Sequence, residues 1–135
     1  APMFEGDDYH PASNREKMAA GEALTDKDRA SWLDALLEAI IHEMAPVAVL
    51  ACSALTPYVQ QRLRGCASHC VQFVLLEASR EVLAERMQSR ADHFMPLSLL
   101  DSQIEALSPP SDAIRIDARE TVERIVAQIT ARLNE

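Results

Sequence analysis

The chain reads as an α/β protein built on a parallel sheet, and three observations carry that reading. Short apolar runs that suit buried strands alternate along the whole length with amphipathic helical patterns. Such alternation implies parallel strands covered by helices on both faces, a three-layer arrangement. The 135 residues fit one domain, and a composition of 48% apolar and 25% charged residues is ordinary for a soluble globular protein.

Taken in order, residues 1–5 are short and apolar and end at Gly6, as befits the C-terminal end of a buried strand. Thr25 is placed to cap a helix, with Asp26 and Asp28 in the first turn, where negative charge is favourable. Leu33, Leu36, Leu37, Ile40, Ile41 and Met44 then share one helical face, and Pro46 ends the helix. Residues 47–51 (VAVLA) read as a fully buried strand. Thr56-Pro57 opens the next helix in the cap-then-N1 arrangement, and Gly65 stops it. Residues 71–76 form a second buried strand, and Ser79 caps a helix that carries Arg86 and Arg90. A helix over 98–107 ends at Ser108-Pro109-Pro110, residues 114–117 form a short strand, and Val122, Ile125, Val126, Ile129 and Leu133 mark the closing helix. No repeat, low-complexity tract or linker interrupts the pattern.

Composition narrows the function classes. A formal charge of −8 with no basic run argues against nucleic acid, whose phosphates such a surface would repel. The longest apolar run, Met44 to Cys52, is interrupted by Pro46 and too short to cross a bilayer. Three cysteines cannot all pair within one chain, which favours a reducing cytoplasm. Cys66, His69 and Cys70 lack a second pair of ligands at zinc spacing.

Several segments together resemble one family. They are GDDYHP at 6–11, NREKM at 14–18, LTDKDR at 24–29, Trp32-Leu33, VLACSAL at 49–55 and RADHFMP at 90–96, followed by Ser102, Gln103, Pro109 and Pro110. This pattern is similar to that of the gluconate kinases (gluconokinases), relatives of shikimate kinase and the nucleoside monophosphate kinases. The resemblance runs from Glu5 to about Pro110. It implies a P-loop kinase type of sheet in strand order 2-3-1-4-5, to which this chain would contribute strands two to five. The glycines are Gly6, Gly21 and Gly65, and no GxxxxGK[ST] phosphate loop occurs. Residues 1–135 are then expected to be a single partial kinase domain, with a lid over residues 86–110. Without its central strand the sheet keeps two unpaired inner edges. The chain is therefore expected to be poorly stable alone, or to be preceded by a further segment upstream of Ala1.

The resemblance also implies roles. Asp7, just past a strand end, matches the carboxylate that contacts the acceptor hydroxyl; from spacing alone, Asp7 and Asp8 read as a polar turn after the strand. Glu5 matches an acidic position near the water shell of a metal. His10, Lys17 and Arg29 are candidates for holding an anionic, polyhydroxylated acceptor, Arg by paired hydrogen bonds to a carboxylate. Ser53 follows a strand where small residues let the acceptor approach, and Gln103 is a further candidate contact. Arg86 and Arg90 match lid arginines that reach the nucleotide phosphates; otherwise they belong to an exposed helix and pair with Glu81 and Glu85. Thr56, Val59 and Gln60 depart from the family, which carries a Lys and a Tyr-Arg pair there.

The implied activity is transfer of the γ-phosphoryl group of ATP, with Mg²⁺, to the 6-hydroxyl of D-gluconate, giving 6-phospho-D-gluconate. A homodimer is implied with it, and no nucleic-acid or membrane partner is expected. A second reading is a relative without a phosphate loop that binds a sugar acid or a partner subunit without catalysis. On either reading this chain alone is expected to be inactive as a kinase.

Overall fold

The computed structural model describes residues 1–66, 68–89 and 96–134. Four strands appear among these residues: β1 (Met3–Glu5), β2 (Val49–Ala51), β3 (Val74–Glu77) and β4 (Ile114–Asp117). They pair in twos, both pairs parallel, with Phe4 opposite Leu50 and Leu76 opposite Ile116. No ladder joins β1-β2 to β3-β4 among the described residues. The break falls where the family's strand order places the strand that this chain does not supply.

That break corrects the burial expected of the strands. Read as fully buried, Val49 of β2 is 48% exposed and Leu76 of β3 is 51% exposed. Each strand has a strand neighbour on one side only among the described residues, so apolar side chains near the free edge stay in contact with solvent. β4 is the better covered, with Ile114 and Ile116 buried and Arg115 and Asp117 facing out. β3 also begins later than the apolar run suggested. Residues 71–73 precede the ladder, and only Phe73 offers its carbonyl, to the amide of Ile114 at 2.9 Å.

Among the described residues six α-helices lie between and after the strands: α1 (Ala12–Ala19), α2 (Asp26–Ile41), α3 (Pro57–Arg64), α4 (Arg80–Ser89), α5 (Leu100–Ala106) and α6 (Val122–Leu133). Thr25 caps α2 in a reciprocal box: its hydroxyl accepts from the Asp28 amide at 3.1 Å, and the Asp28 carboxylate accepts from the Thr25 amide at 2.9 Å. The helix ends at Ile41, before Met44, which is 92% exposed and takes no part in the apolar face. Thr56 and Pro57 open α3 as expected, and Gly65 closes it. α2 and α3 pack together around Trp32, Leu33, Leu36, Ile40, Val59 and Leu63, which form the core. Two elements had no clear sequence signal, a 3-10 turn over Gly6–Tyr9 and α1, which buries only Asn14 and Met18.

α6 has the expected apolar periodicity, yet Val122, Val126 and Leu133 remain exposed. No helix among the described residues is long and apolar enough to cross a membrane.

Gly6 is the tightest backbone position. A Cβ built there would lie 2.6 Å from the Cys52 Cβ and 2.9 Å from the Ala51 carbonyl oxygen. Gly6→Ala is expected to force β1 and β2 apart and cost about 1–3 kcal/mol, as overpacking does. Gly65 is the control, because its nearest neighbour would be 3.4 Å away. Urea midpoints should fall for Gly6→Ala and stay near wild type for Gly65→Ala; equal midpoints would contradict the packing described.

Candidate active site

β1 and β2 are parallel, so their C-terminal ends lie side by side, the position where α/β sheets place ligands. The chain leaves β1 at Glu5 and enters the 3-10 turn, whose carbonyls are held from two helices. The Trp32 indole N–H donates to the Gly6 carbonyl at 2.7 Å, and Arg15 Nη2 donates to the Asp7 carbonyl at 2.7 Å. With its backbone fixed in this way, the turn delivers Asp7 and His10 to one cavity. Arg29 of α2, Ser53 after β2, and Ser102 and Gln103 of α5 complete its polar lining, with Met18, Leu24, Leu55 and Leu99 among the apolar walls.

Among these described residues the charged lining is one carboxylate, Asp7, and one guanidinium, Arg29. The Arg29 side chain is 13% exposed, and its Nη1 donates to Asp26 Oδ1 at 3.2 Å. Asp26 accepts also from the Thr56 hydroxyl at 3.3 Å, which braces the arginine from behind. His10 stacks on Trp32 with ring centroids 4.7 Å apart and planes within 14°. Burial pushes the His10 pKa down, against the pull of the Asp7 charge, and Arg15 and Arg29 add to the lowering. Cys52, beside Ser53, has its thiol pushed up to about 12 by burial, with Asp7 and Glu5 adding to the effect. It stays a protonated, unreactive thiol near neutral pH.

The cavity thus brings together Asp7, His10, Arg29, Ser53 and Gln103 from the sequence candidates. Lys17 is not among its lining residues: its ammonium lies 2.6 Å from Asp28 Oδ2, tying α1 to the start of α2. Glu5 is exposed at the strand end, its Oε1 3.5 Å from the Asp7 amide. No three His, Cys, Asp or Glu side chains among the described residues are grouped to hold a metal. Arg86 donates to the Ala118 carbonyl at 2.7 Å, just beyond β4, and does not line the cavity. Arg90 and residues 91–95 of the lid motif lie outside the described residues.

The three positions that depart from the family have structural roles. Thr56 caps α3, Val59 is fully buried in the core, and the Gln60 amide donates to the carbonyls of Ala54 at 2.9 Å and Ser108 at 2.7 Å. None of them lines the cavity. Beyond their place in the family motifs, sequence reasoning gave no site role to Trp32, Asn14, Arg15 or Ser102. The aromatic residue one helical turn after Arg29 was the available signal for Trp32.

No family model matches the chain. Its curated relatives include the probable gluconokinase of Xenopus tropicalis, 39% identical over 151 aligned residues, covering 98% of this chain and 80% of that protein. The thermosensitive gluconokinase of Escherichia coli (strain K12) is 38% identical over 95% of this chain and 71% of its own length. Among solved structures, a gluconokinase from Sinorhizobium meliloti 1021 matches with a TM-score of 0.80 at 41% identity, over 96% of this chain and 75% of that one.

Two measurements check the electrostatics of the site. Hydrogen bonds from Lys17 and from the Thr25 amide lower the Asp28 carboxyl from 3.8 to about 2. A folded-state pKa below the unfolded value means stability that is complete above about pH 4 and lost as the pH falls through about 2. Urea midpoints should therefore drop more steeply over that range for the wild type than for Asp28→Asn; parallel profiles would remove the pairing from the account. In the second, a thiol-specific reagent at pH 8 should label Cys66 and Cys70 readily and Cys52 only on unfolding. Prompt labelling of Cys52 in the folded chain would contradict its burial.

Proposed function

Because the chain belongs to the gluconokinase family, we propose that its cavity receives D-gluconate as acceptor of the γ-phosphoryl group of ATP, giving 6-phospho-D-gluconate. The observation that carries the reading is the convergence of Asp7 and Arg29, opposite charges, with four hydrogen-bonding side chains at the ends of parallel strands. Arg29 offers a planar pair of donors to the acceptor's carboxylate. His10, Ser53 and Gln103 are hydrogen-bonding partners for its hydroxyls. Asp7 takes the proton as the 6-hydroxyl attacks, which is general-base work for a carboxylate held at the reacting end.

Phosphoryl transfer also needs positive charge around the moving group and a divalent ion. Mg²⁺ is commonly held by one or two carboxylates together with phosphate oxygens and water. Glu5, exposed at the end of β1, would meet that modest requirement through a water of the ion's shell. The phosphate-cradling GxxxxGK[ST] loop is not within these 135 residues. The residues described therefore account for the acceptor half of the reaction. In this reading residues 86–110 act as the lid and Arg86 and Arg90 approach the nucleotide phosphates. A cytoplasmic setting is supported by the three free cysteines, Cys52, Cys66 and Cys70.

The test is ATP-dependent phosphorylation of D-gluconate, measured for this chain and for the complete gene product. In the form that turns over, Asp7→Asn should lower kcat by roughly 10²–10⁴ with little change in KM. Arg29→Ala should raise KM for gluconate by about 10–100-fold, the loss of a charge-assisted pair. Gluconate binding without turnover in either form, or full kcat in Asp7→Asn, would overturn the reading.

A further inference from the structure

We propose that Asn14 is a positioning residue that fixes His10 as the neutral tautomer with its proton on Nε2. His10 is then a set hydrogen-bond donor to an acceptor hydroxyl and not a cation for the acceptor's carboxylate. The recognition half of this statement rests on the sugar-acid reading above; the tautomer half does not.

The deduction starts from an acceptor that has no choice. Asn14 is 3% exposed, and its Nδ2 lies 2.9 Å from the backbone carbonyl of Asp28. A carbonyl only accepts, so the Asn14 atom facing it is the amide nitrogen and the amide cannot be flipped. The same nitrogen lies 3.3 Å from His10 Nδ1. Since an amide nitrogen only donates, Nδ1 must accept, and the ring proton sits on Nε2. An imidazolium would place an N–H on Nδ1 against the N–H of Asn14, two donors facing each other in a half-buried setting. The arrangement therefore works against protonation of His10, independently of its burial.

The charges around the ring pull in opposite directions. Asp7 on the same turn favours the imidazolium, while Arg15 from α1 and Arg29 from α2 oppose it. Trp32 covers one face of the ring and holds its plane. With Nδ1 engaged by Asn14, Nε2–H is the polar edge that serves the cavity. Arg29 is then the only cation among the described lining residues, so carboxylate and hydroxyl recognition are divided between Arg29 and His10.

The test needs no substrate at first. Two-bond ¹⁵N–¹H spectra of the histidine-labelled chain, followed from pH 5 to 8 and assigned with His10→Phe, report both tautomer and midpoint. The expected result is a single Nε2–H pattern for His10 and a midpoint below the usual value of about 6.5. An Nδ1–H pattern, or a midpoint at or above 6.5, overturns the proposal whatever Asn14→Ala does. In Asn14→Ala, with the His42 signals as control for the fold, the pattern should become mixed and the midpoint rise. An unchanged pattern and midpoint in that variant also overturns it. In the form that turns over, Asn14→Ala and His10→Phe should raise KM for D-gluconate by roughly tenfold or less, the worth of one neutral hydrogen bond, with kcat nearly unchanged. An unaltered KM in both variants overturns the recognition half. Failure to phosphorylate gluconate at all would remove the proposed function and leave the spectra to decide the tautomer.

Discussion

The site depends first on a single buried hydrogen bond, from the Trp32 indole to the Gly6 carbonyl at 2.7 Å. A buried indole N–H needs a partner, and a carbonyl in a turn after a strand needs a donor; each satisfies the other. Trp32 is 2% exposed and sits in the core, so the bond fastens the turn to the best-packed part of the molecule. Arg29 lies one helical turn earlier on the same helix and therefore on the same face. Fixing Trp32 against Gly6 thus also fixes the distance between the segment carrying Asp7 and the helix carrying Arg29. The closeness of Gly6 to Cys52 brings Ser53 into the same neighbourhood.

The interrupted sheet gives the helices a larger share of the structural work. Phe4 and Leu50 from the first strand pair and Phe73, just before the second, pack against the same α2-α3 cluster. α3 also links the halves by polar side chains. Gln60 joins the Ala54 and Ser108 carbonyls, while Arg64 lies 4.7 Å over the Phe73 ring and pairs with Asp112. The two links differ in weight. Gln60 is buried, so losing it would strand two carbonyls away from water. The Arg64–Asp112 pair is exposed, and such pairs contribute about 0–1 kcal/mol. A buried glutamine at this position is therefore chosen for satisfying carbonyls, a task that the rigid, charged fork of an arginine would perform only by burying its charge.

Local signals in the sequence were legible and non-local ones were not. Thr25 and Thr56 were read as caps because capping involves residues three apart, a distance that a linear reading sees. The parallel pairing and strand alternation follow from periodicity in the same way. Lys17 was read as a ligand for an anion because its partner, Asp28, is eleven residues away on another helix. Thr56 was legible as a cap, but Val59 and Gln60 were read only as departures in an acceptor site because nothing in the chain marks one as a core residue and the other as a bridge. Strand burial was overestimated for a related reason. Apolar runs report what a strand can bury, and exposure depends on whether a neighbouring strand is present. Asp7, His10, Arg29, Ser53 and Gln103 were assigned to the site through the family resemblance, and spacing alone read Asp7 as part of a polar turn.

Charge is the remaining constraint on how a chain of −8 could hold an anionic acid. Net charge acts over distances that salt screens within about 8–10 Å, so the local arrangement decides. The start of α2 carries Asp26 and Asp28, which would by themselves repel a carboxylate. Lys17 pairs with Asp28, and Arg29 is held by Asp26. The two carboxylates are thereby turned to structural use, one closing the cap of α2 and the other orienting the cavity's guanidinium. Because Arg29 is 13% exposed, its field is less screened than that of a surface arginine. On the proposed tautomer, His10 beside it adds a donor without adding charge. On the proposed function, the orientation of the acceptor then falls to Arg29 among the described lining residues, with Asp7 facing the hydroxyl that Arg29 presents.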